Sequence, residues 1–460
     1  MQPDAETPDP SFRGALRVRE YRLLWLAAAQ SSTGDQLARI AIVLLVYARS
    51  GSAVISATTY ALTFLPSLLG GVFLSGLADR YPRRTVMVTC DLIRLLLLLV
   101  LASANLSTLV IDVVLVLLVL AGAPFSAASV AVLPEVLPPK HYVAGVSLNV
   151  VTGQLAQLVA FGAGGLCVAF LGVRTTLLID AVTFGVSAAL IRYGMANRAA
   201  PDASAAGDET VGKSYLGRLR GGLRVIYRDP LLRYLVLFAW MPVFYIAPEA
   251  IAPAYARSLG GGATATGLMM AAMPAGTAIG AWAFGRRGSD AARARAVPYL
   301  AAAASAMLIV SWMSPTLPLS FALWLLCGVF SAYQVSVVTR FVRRTPLHLR
   351  GQAVGLASAG LIAIQGVGSV AAGVLATLWS PSAAVGIAGI AGVLCVAALL
   401  APLRRAERLV AQEQPDQGNP GQGHPGQGHP GQGHPGQGQP AQGHPGQGQP
   451  GPIAAQEATG

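Results

Sequence analysis

The sequence predicts an all-α membrane protein with twelve transmembrane helices in two six-helix bundles. Three observations predict it: an apolar, charge-poor composition, a regular succession of apolar stretches, and an internal duplication. Of the 460 residues, 54% are hydrophobic and only 11% are charged, and the mean hydropathy is +0.57. So few charges cannot cover the surface of a water-soluble protein, whereas a lipid bilayer asks for an apolar exterior along most of the chain.

Apolar stretches of about 20 residues, the length needed to span a bilayer, fall at 22–47, 53–78, 84–103, 109–133, 143–171, 174–193, 231–256, 263–285, 296–313, 317–339, 351–378 and 382–402. An even number of spans puts both termini on one side. With that side cytoplasmic, 27 of the 32 basic residues fall in cytoplasmic segments. Three (Arg49, Arg174 and Arg257) fall in external loops, and Arg39 and Arg94 lie within spans. Positive charge concentrates on the cytoplasmic side of membrane proteins, so both termini are expected there, in the cell (inner or plasma) membrane. The net charge of +12 is dispersed over short interhelical segments and forms no single basic face, which excludes nucleic acid as a partner. The expected organisation is a cytoplasmic segment 1–21, a first bundle 22–193, a cytoplasmic linker 194–230, a second bundle 231–402 and a tail 403–460.

Several features carry no chemistry of their own. The first 20 residues hold no apolar stretch, so the first helix itself is expected to direct insertion. Cys90, Cys167, Cys327 and Cys395 sit in or beside apolar segments without Cys-x-x-Cys spacing, which reads as small core residues and no metal site. The run Gly207 to Ser214 fits the phosphate-loop spacing but follows a polar stretch, Ala199 to Ala206, where a nucleotide site needs a hydrophobic strand. No pattern of an enzyme or of a cofactor site is present. The tail repeats Gly-Gln-Gly-His-Pro, a composition unable to bury a core and expected to be disordered. Its histidines, His424, His429, His434 and His444, read as a repeat expansion.

Shifting the sequence by 208 residues aligns Tyr47-Ala48-Arg49-Ser50 with Tyr255-Ala256-Arg257-Ser258. The same shift, without gaps, brings Pro66 onto Pro274, Pro138 onto Pro346, Gln157 onto Gln365 and Gly165 onto Gly373. It carries the first span onto the seventh and the fifth onto the eleventh. The halves are therefore expected to be six-helix units of like orientation, able to rock about a site near the membrane midplane.

The connection between the second and third spans reads Ser75-Gly76-Leu77-Ala78-Asp79-Arg80-Tyr81-Pro82-Arg83-Arg84. Here the chain resembles the major facilitator superfamily, whose signature at this place is Gly-x-Leu-Ala-Asp-Arg-x-Gly-Arg-Arg or Lys. Leu77, Ala78, Asp79, Arg80, Arg83 and Arg84 match, while Ser75 and Pro82 replace two glycines. The second-half copy keeps Gly285, Arg286 and Arg287 without the acid. The resemblance covers residues 15–405 and is nearest to bacterial macrolide-type and siderophore exporters. It implies a transporter with the major facilitator fold and a cytoplasmic gate made by Asp79, Arg80, Arg83 and Arg84, extended by Asp91 and Arg94 inside the third span. An acid among arginines can form charge-assisted bonds across a helix interface when that side is shut. The arginine motif of the fourth span and the Gly-Pro motif of the fifth, common in drug–proton antiporters, are absent.

An ionised side chain in mid-membrane costs roughly 2.5–3.5 kcal/mol and needs a partner or a use. Asp35 lies midway along the first span, with Arg39 at i+4 able to pair with it. Asp180 lies in the sixth span, and Glu249 in the seventh between Pro248 and Pro253, which are expected to kink that helix. These four are the proton-coupling candidates. Gln30, Tyr245, Tyr333 and Gln334 are candidates for the substrate cavity, since the first, seventh and tenth helices line the central site in the resembled family. The expected function is alternating-access transport by a monomer, with a small amphipathic organic molecule exchanged for protons. Uptake of a metabolite, or a non-transporting sensor or assembly role, are the alternatives.

Overall fold

The computed structural model describes residues 12–74, 76–103, 105–198, 215–286, 289–313 and 316–413. Residues 199–214 of the linker, which hold the phosphate-loop-like run, and the repetitive tail lie outside the described residues, as does the side chain of Asp79. The regular structure described is helical: α1 (Phe12–Arg17), α2 (Arg19–Ser50), α3 (Ala53–Ala61), α4 (Leu65–Phe73), α5 (Leu77–Arg80), α6 (Arg83–Ser103), α7 (Thr108–Val136), α8 (Pro139–Gly194), α9 (Tyr215–Arg228), α10 (Pro230–Ala239), α11 (Pro242–Ala250), α12 (Ala252–Ser258), α13 (Ala263–Arg286), α14 (Asp290–Trp312), α15 (Leu317–Ser331), α16 (Tyr333–Arg344), α17 (Arg350–Leu378) and α18 (Pro381–Glu413).

Among the described residues, ten helical stretches are long and apolar enough to cross a membrane. The longest, the 56-residue α8, turns a corner at Gly172, whose φ of 80° and ψ of 163° suit glycine alone. It therefore makes two crossings. A further crossing is α2, less apolar because Gln30, Ser31, Ser32, Thr33, Asp35, Gln36 and Arg39 crowd its middle. The twelve crossings agree with the apolar pattern of the sequence.

Helix ends follow local chemistry. Ser52, Ser107 and Ser289 cap α3, α7 and α14 by accepting the amides of Ile55, Val110 and Ala292. Asp229 accepts the amides of Leu231 and Leu232 ahead of Pro230, which starts α10. The seventh crossing is broken at Ile251, between Pro248 and Pro253, as the two prolines predict. The linker contains the amphipathic helix α9, and 403–413, assigned to the tail by composition, continue α18. Large apolar side chains such as Leu109, Val143 and Phe170 are 74–80% exposed, as a lipid-facing surface requires.

Side-chain bonds define two opposite ends of the molecule. At the terminus end, Arg198 binds Glu20, Arg83 binds Glu135, Arg84 donates to the carbonyl of Arg192, and Arg344 binds Asp229. At the far end, Arg49 donates to the carbonyl of Leu106, Arg174 to those of Ala102 and Ser103, and the Tyr255 hydroxyl meets Ser311 and Ser320.

The close approaches between α2–α8 and α10–α18 lie toward the far end, and glycine makes them possible. A methyl group on Gly165 would fall 2.6 Å from the Cα of Gly267, and one on Gly373 would fall 2.6 Å from the Cβ of Ala57. Gly165 and Gly373 are duplication partners at the 208-residue shift, so equivalent helices of the two halves cross to the opposite half through equivalent glycines.

Candidate functional site

Arg94, fully buried in α6, sits between the rings of Phe125 and Phe184, 5.1 and 5.2 Å from their centroids. Gly122 on α7 makes the room, because a methyl there would lie 2.9 Å from Nη2. The guanidinium donates to Ser31 Oγ at 2.7 Å and stands 3.5 Å from Asp91 and 3.6 Å from Asp35. Asp91 accepts from Ser187 at 2.6 Å and from Ser31 at 3.3 Å. Asp180 lies against α2, where a methyl on Gly34 would come within 2.6 Å of its Oδ1. Thr183 donates to that oxygen at 3.2 Å, and Oδ2 has no hydrogen-bond partner.

This arrangement corrects two expectations. Asp35 pairs with Arg94 and not with Arg39, because its carboxylate points toward α6 where the aromatic pocket holds a guanidinium. Asp91 and Arg94 join Asp35 instead of extending the Arg83–Arg84 cluster. At about 1.5 Å rise per residue, Asp91 lies some 12 Å deeper than Arg83.

Three carboxyls thus gather about one guanidinium. Asp91, Asp180 and Arg94 are closed off, while the Asp35 side chain is 39% accessible. Arg39, one turn from Asp35, brings a second positive charge near, and the remaining imbalance in such an apolar surround calls for a bound proton or a further cation, with Asp35 the accessible member. At the duplication shift, Asp35, Asp91, Arg94 and Asp180 correspond to Val243, Tyr299, Ala302 and Ala388, so the cluster belongs to the first half alone.

A second polar site joins the halves. The Tyr60 hydroxyl, fully buried in α3, donates to Glu249 of α11 at 2.7 Å. Arg39, one turn beyond Asp35, lies 5.8 Å from the ring centroids of both Tyr60 and Phe64. The cavity candidates are placed differently. Tyr245 is buried and donates to the carbonyl of Ala301, and its oxygen is 3.3 Å from that of Tyr333. Gln334 donates to the carbonyl of Phe238 and to Tyr333. These three brace α10 and α11 against α14 and α16 inside the second half. Gln30 is half-buried in α2.

At the terminus end, Arg83 and Arg198 both approach Glu135, and Arg198 clamps Glu20 at 2.5 and 2.8 Å. The hydrogen bond from Arg198 holds the Glu20 carboxyl below the usual carboxylate range. Arg80 is exposed. On the second half, Asp290 binds Arg293 and Arg343, and Arg340 binds Glu407. Among the described residues, each of these pairs stays within its own half.

The family model of the Major Facilitator Superfamily matches residues 24–314 and 246–441. The chain belongs to the major facilitator superfamily. Its helices are those of a multi-pass membrane protein of this transporter family. Two relatives from Bacillus subtilis (strain 168) are uncharacterized MFS-type transporters. YkuC is 25% identical over 53% of this chain and 57% of its own length; YvqJ is 28% identical over 56% and 62%. The chain thus spans about three-fifths of the curated relatives it matches. Among solved structures, a bacterial homolog of the human lysosomal transporter Spinster, inward-facing and unoccupied, has a TM-score of 0.65 at 14% identity, covering 86% of this chain and 99% of that one. The nucleoside transporter NupG gives 0.63 at 14% identity, over 83% and 99%. These likenesses bear on the fold.

Within this major facilitator chain, sequence reasoning missed Ser31, Ser187, Phe125, Phe184 and Tyr60. Two signals were present: Ser31 and Asp35 are one turn apart, and Asp180, Thr183 and Ser187 share a helix face at i, i+3 and i+7. For Tyr60, no pattern in the sequence marks a partner 189 residues away.

Proposed function

We propose that the chain exports a small amphipathic organic compound in exchange for protons, with the terminus end facing the cytoplasm. On this reading its functional kin are the macrolide-type and siderophore exporters that the sequence resembles. The observation that carries it is the charge imbalance of the buried cluster, three carboxyls about one guanidinium with a single accessible member. A proton taken up at Asp35 alters the field at Arg94 and Asp91, and so the packing of α2 on α6 and α8. The positive-inside distribution supports the orientation. The cross-half contacts toward the far end support a cleft open to the terminus end in this state. Asp79, Arg80, Arg83 and Arg84 serve as the gate of that opening, with Glu135, Glu20 and Arg198 as partners free to exchange when it shuts.

The test is substrate-triggered proton movement in proteoliposomes, screened over toxic amphipaths and siderophores. The protein should release protons on substrate addition, and Asp35→Asn should bind substrate without that release. Undiminished proton-coupled flux in Asp35→Asn would refute the assignment.

A further inference from the structure

We propose that Arg39 is the recognition group for an oxyanion on the transported compound, so that the substrate class is an amphipathic organic anion: a carboxylate, sulfonate or phosphate on a flat apolar body. This rests on the transport reading and narrows it.

Arg39 is half-buried in the middle of α2, one turn from the accessible Asp35 and where α3 meets α11 of the other half. Among the described residues, no acidic side chain lies within ion-pair distance of it. The two acids that could serve are committed elsewhere, Asp35 to Arg94 at 3.6 Å and Glu249 to the Tyr60 hydroxyl at 2.7 Å. Its buried Nε has no hydrogen-bond partner. Arg94 by contrast has a serine, two carboxylates and two rings about it, although its own Nε and Nη2 are also without hydrogen-bond partners. Arg39 has the Tyr60 hydroxyl and the two rings, with Asp35 and Glu249 acting on its charge from beyond ion-pair distance.

A guanidinium held in a low-dielectric place without a direct ion pair is costly, and mid-membrane arginines take partners for that reason. Its fork of N–H donors matches a carboxylate, sulfonate or phosphate. Tyr60 and Phe64, with centroids 5.6 Å apart and edge to face, offer an apolar wall beside the fork for the body of the same molecule. Because Tyr60 also holds Glu249 across the halves, a ligand bound here touches the contact that keeps the far end closed.

Equilibrium binding to the purified full chain tests this with 1-naphthoate, 1-naphthalenesulfonate and 1-naphthyl phosphate as probes and neutral 1-naphthamide as control. Wild type should bind at least one acid and bind the amide at least 10-fold more weakly. Arg39→Gln should weaken the acid roughly 10- to 100-fold, the loss expected for a charge-assisted pair, and leave the amide unchanged. Arg39→Lys should recover part of the loss. Arg49→Gln, which removes an arginine at the far end of the same helix, should bind as wild type. Equal binding of acid and amide, unchanged acid binding by folded Arg39→Gln, or failure of all three acids to bind wild type would overturn the proposal. Proton-coupled flux that persisted alongside such a result would leave the transport reading standing.

Discussion

Replacing Arg94 by glutamine leaves Asp91 fully buried with only serine hydroxyls for company. The guanidinium it loses stands 3.5 Å away, donates to Ser31 at 2.7 Å and fills the space between Phe125 and Phe184. Breaking a buried ion pair from one side costs about 3–5 kcal/mol, most of it the uncompensated partner. For a chain of this length we expect the unfolding midpoint to fall by about 5 °C. Neutralising the partner as well removes that penalty: Asp91→Asn keeps an oxygen for the Ser187 hydroxyl, so Arg94→Gln/Asp91→Asn should recover more than half of the loss. A thermal-melt double-mutant cycle in one detergent measures the coupling, expected to be about 2 kcal/mol or more. Additive effects of the two substitutions would refute the claim that the cluster is held by charge.

Further outcomes follow from other contacts. Glu20→Gln should cost about 1 kcal/mol at pH 7, discounted for partial exposure. Because Arg198 lowers the Glu20 carboxyl, this stabilisation is present above the unfolded value of about 4.3 and is lost as pH falls through the folded value. The melting gap between variant and wild type should therefore close in acid; a gap constant with pH would refute the pairing. Glu249→Gln weakens the bond from Tyr60, worth about 1.5–3 kcal/mol when charge-assisted. It should raise maleimide labelling of Thr266→Cys, at the far-end cavity of about 370 Å³, by roughly 10-fold. Gly165→Val places methyls where the Gly267 backbone passes at 2.6 Å and should raise the same labelling rate; no change would place the crossing elsewhere.

The twelve crossings were legible because lipid imposes one requirement on every span, and apolar runs of about 20 residues meet it. The corner at Gly172 and the break at Ile251 carried glycine and proline as markers. The 208-residue shift paired Gly165 with Gly373 before any geometry explained them. The charge cluster was legible only in part. Asp35, Asp91, Arg94 and Asp180 were each visible as costly residues, but sequence spacing favours pairs within one helix. Asp35 was accordingly assigned to Arg39 when packing gave it Arg94 from α6. Tyr245 and Tyr333 look polar in a span and proved to be braces, because a buried hydroxyl is as easily satisfied by a neighbouring carbonyl as by a ligand.

The central claim is that two halves rock about a cleft under control of the Asp35 cluster. Spin-label distances test it most directly, using one pair at the terminus end, Tyr81 and Leu347, which are 54% and 80% exposed, and one at the far end, Leu109 and Leu319, which are 74% and 48% exposed. On acidification or substrate addition, the account predicts that the terminus-end distance shortens as the far-end distance lengthens, and that Asp35→Asn abolishes the response to pH. Distances that stay fixed, or that change together in the same direction, would contradict it.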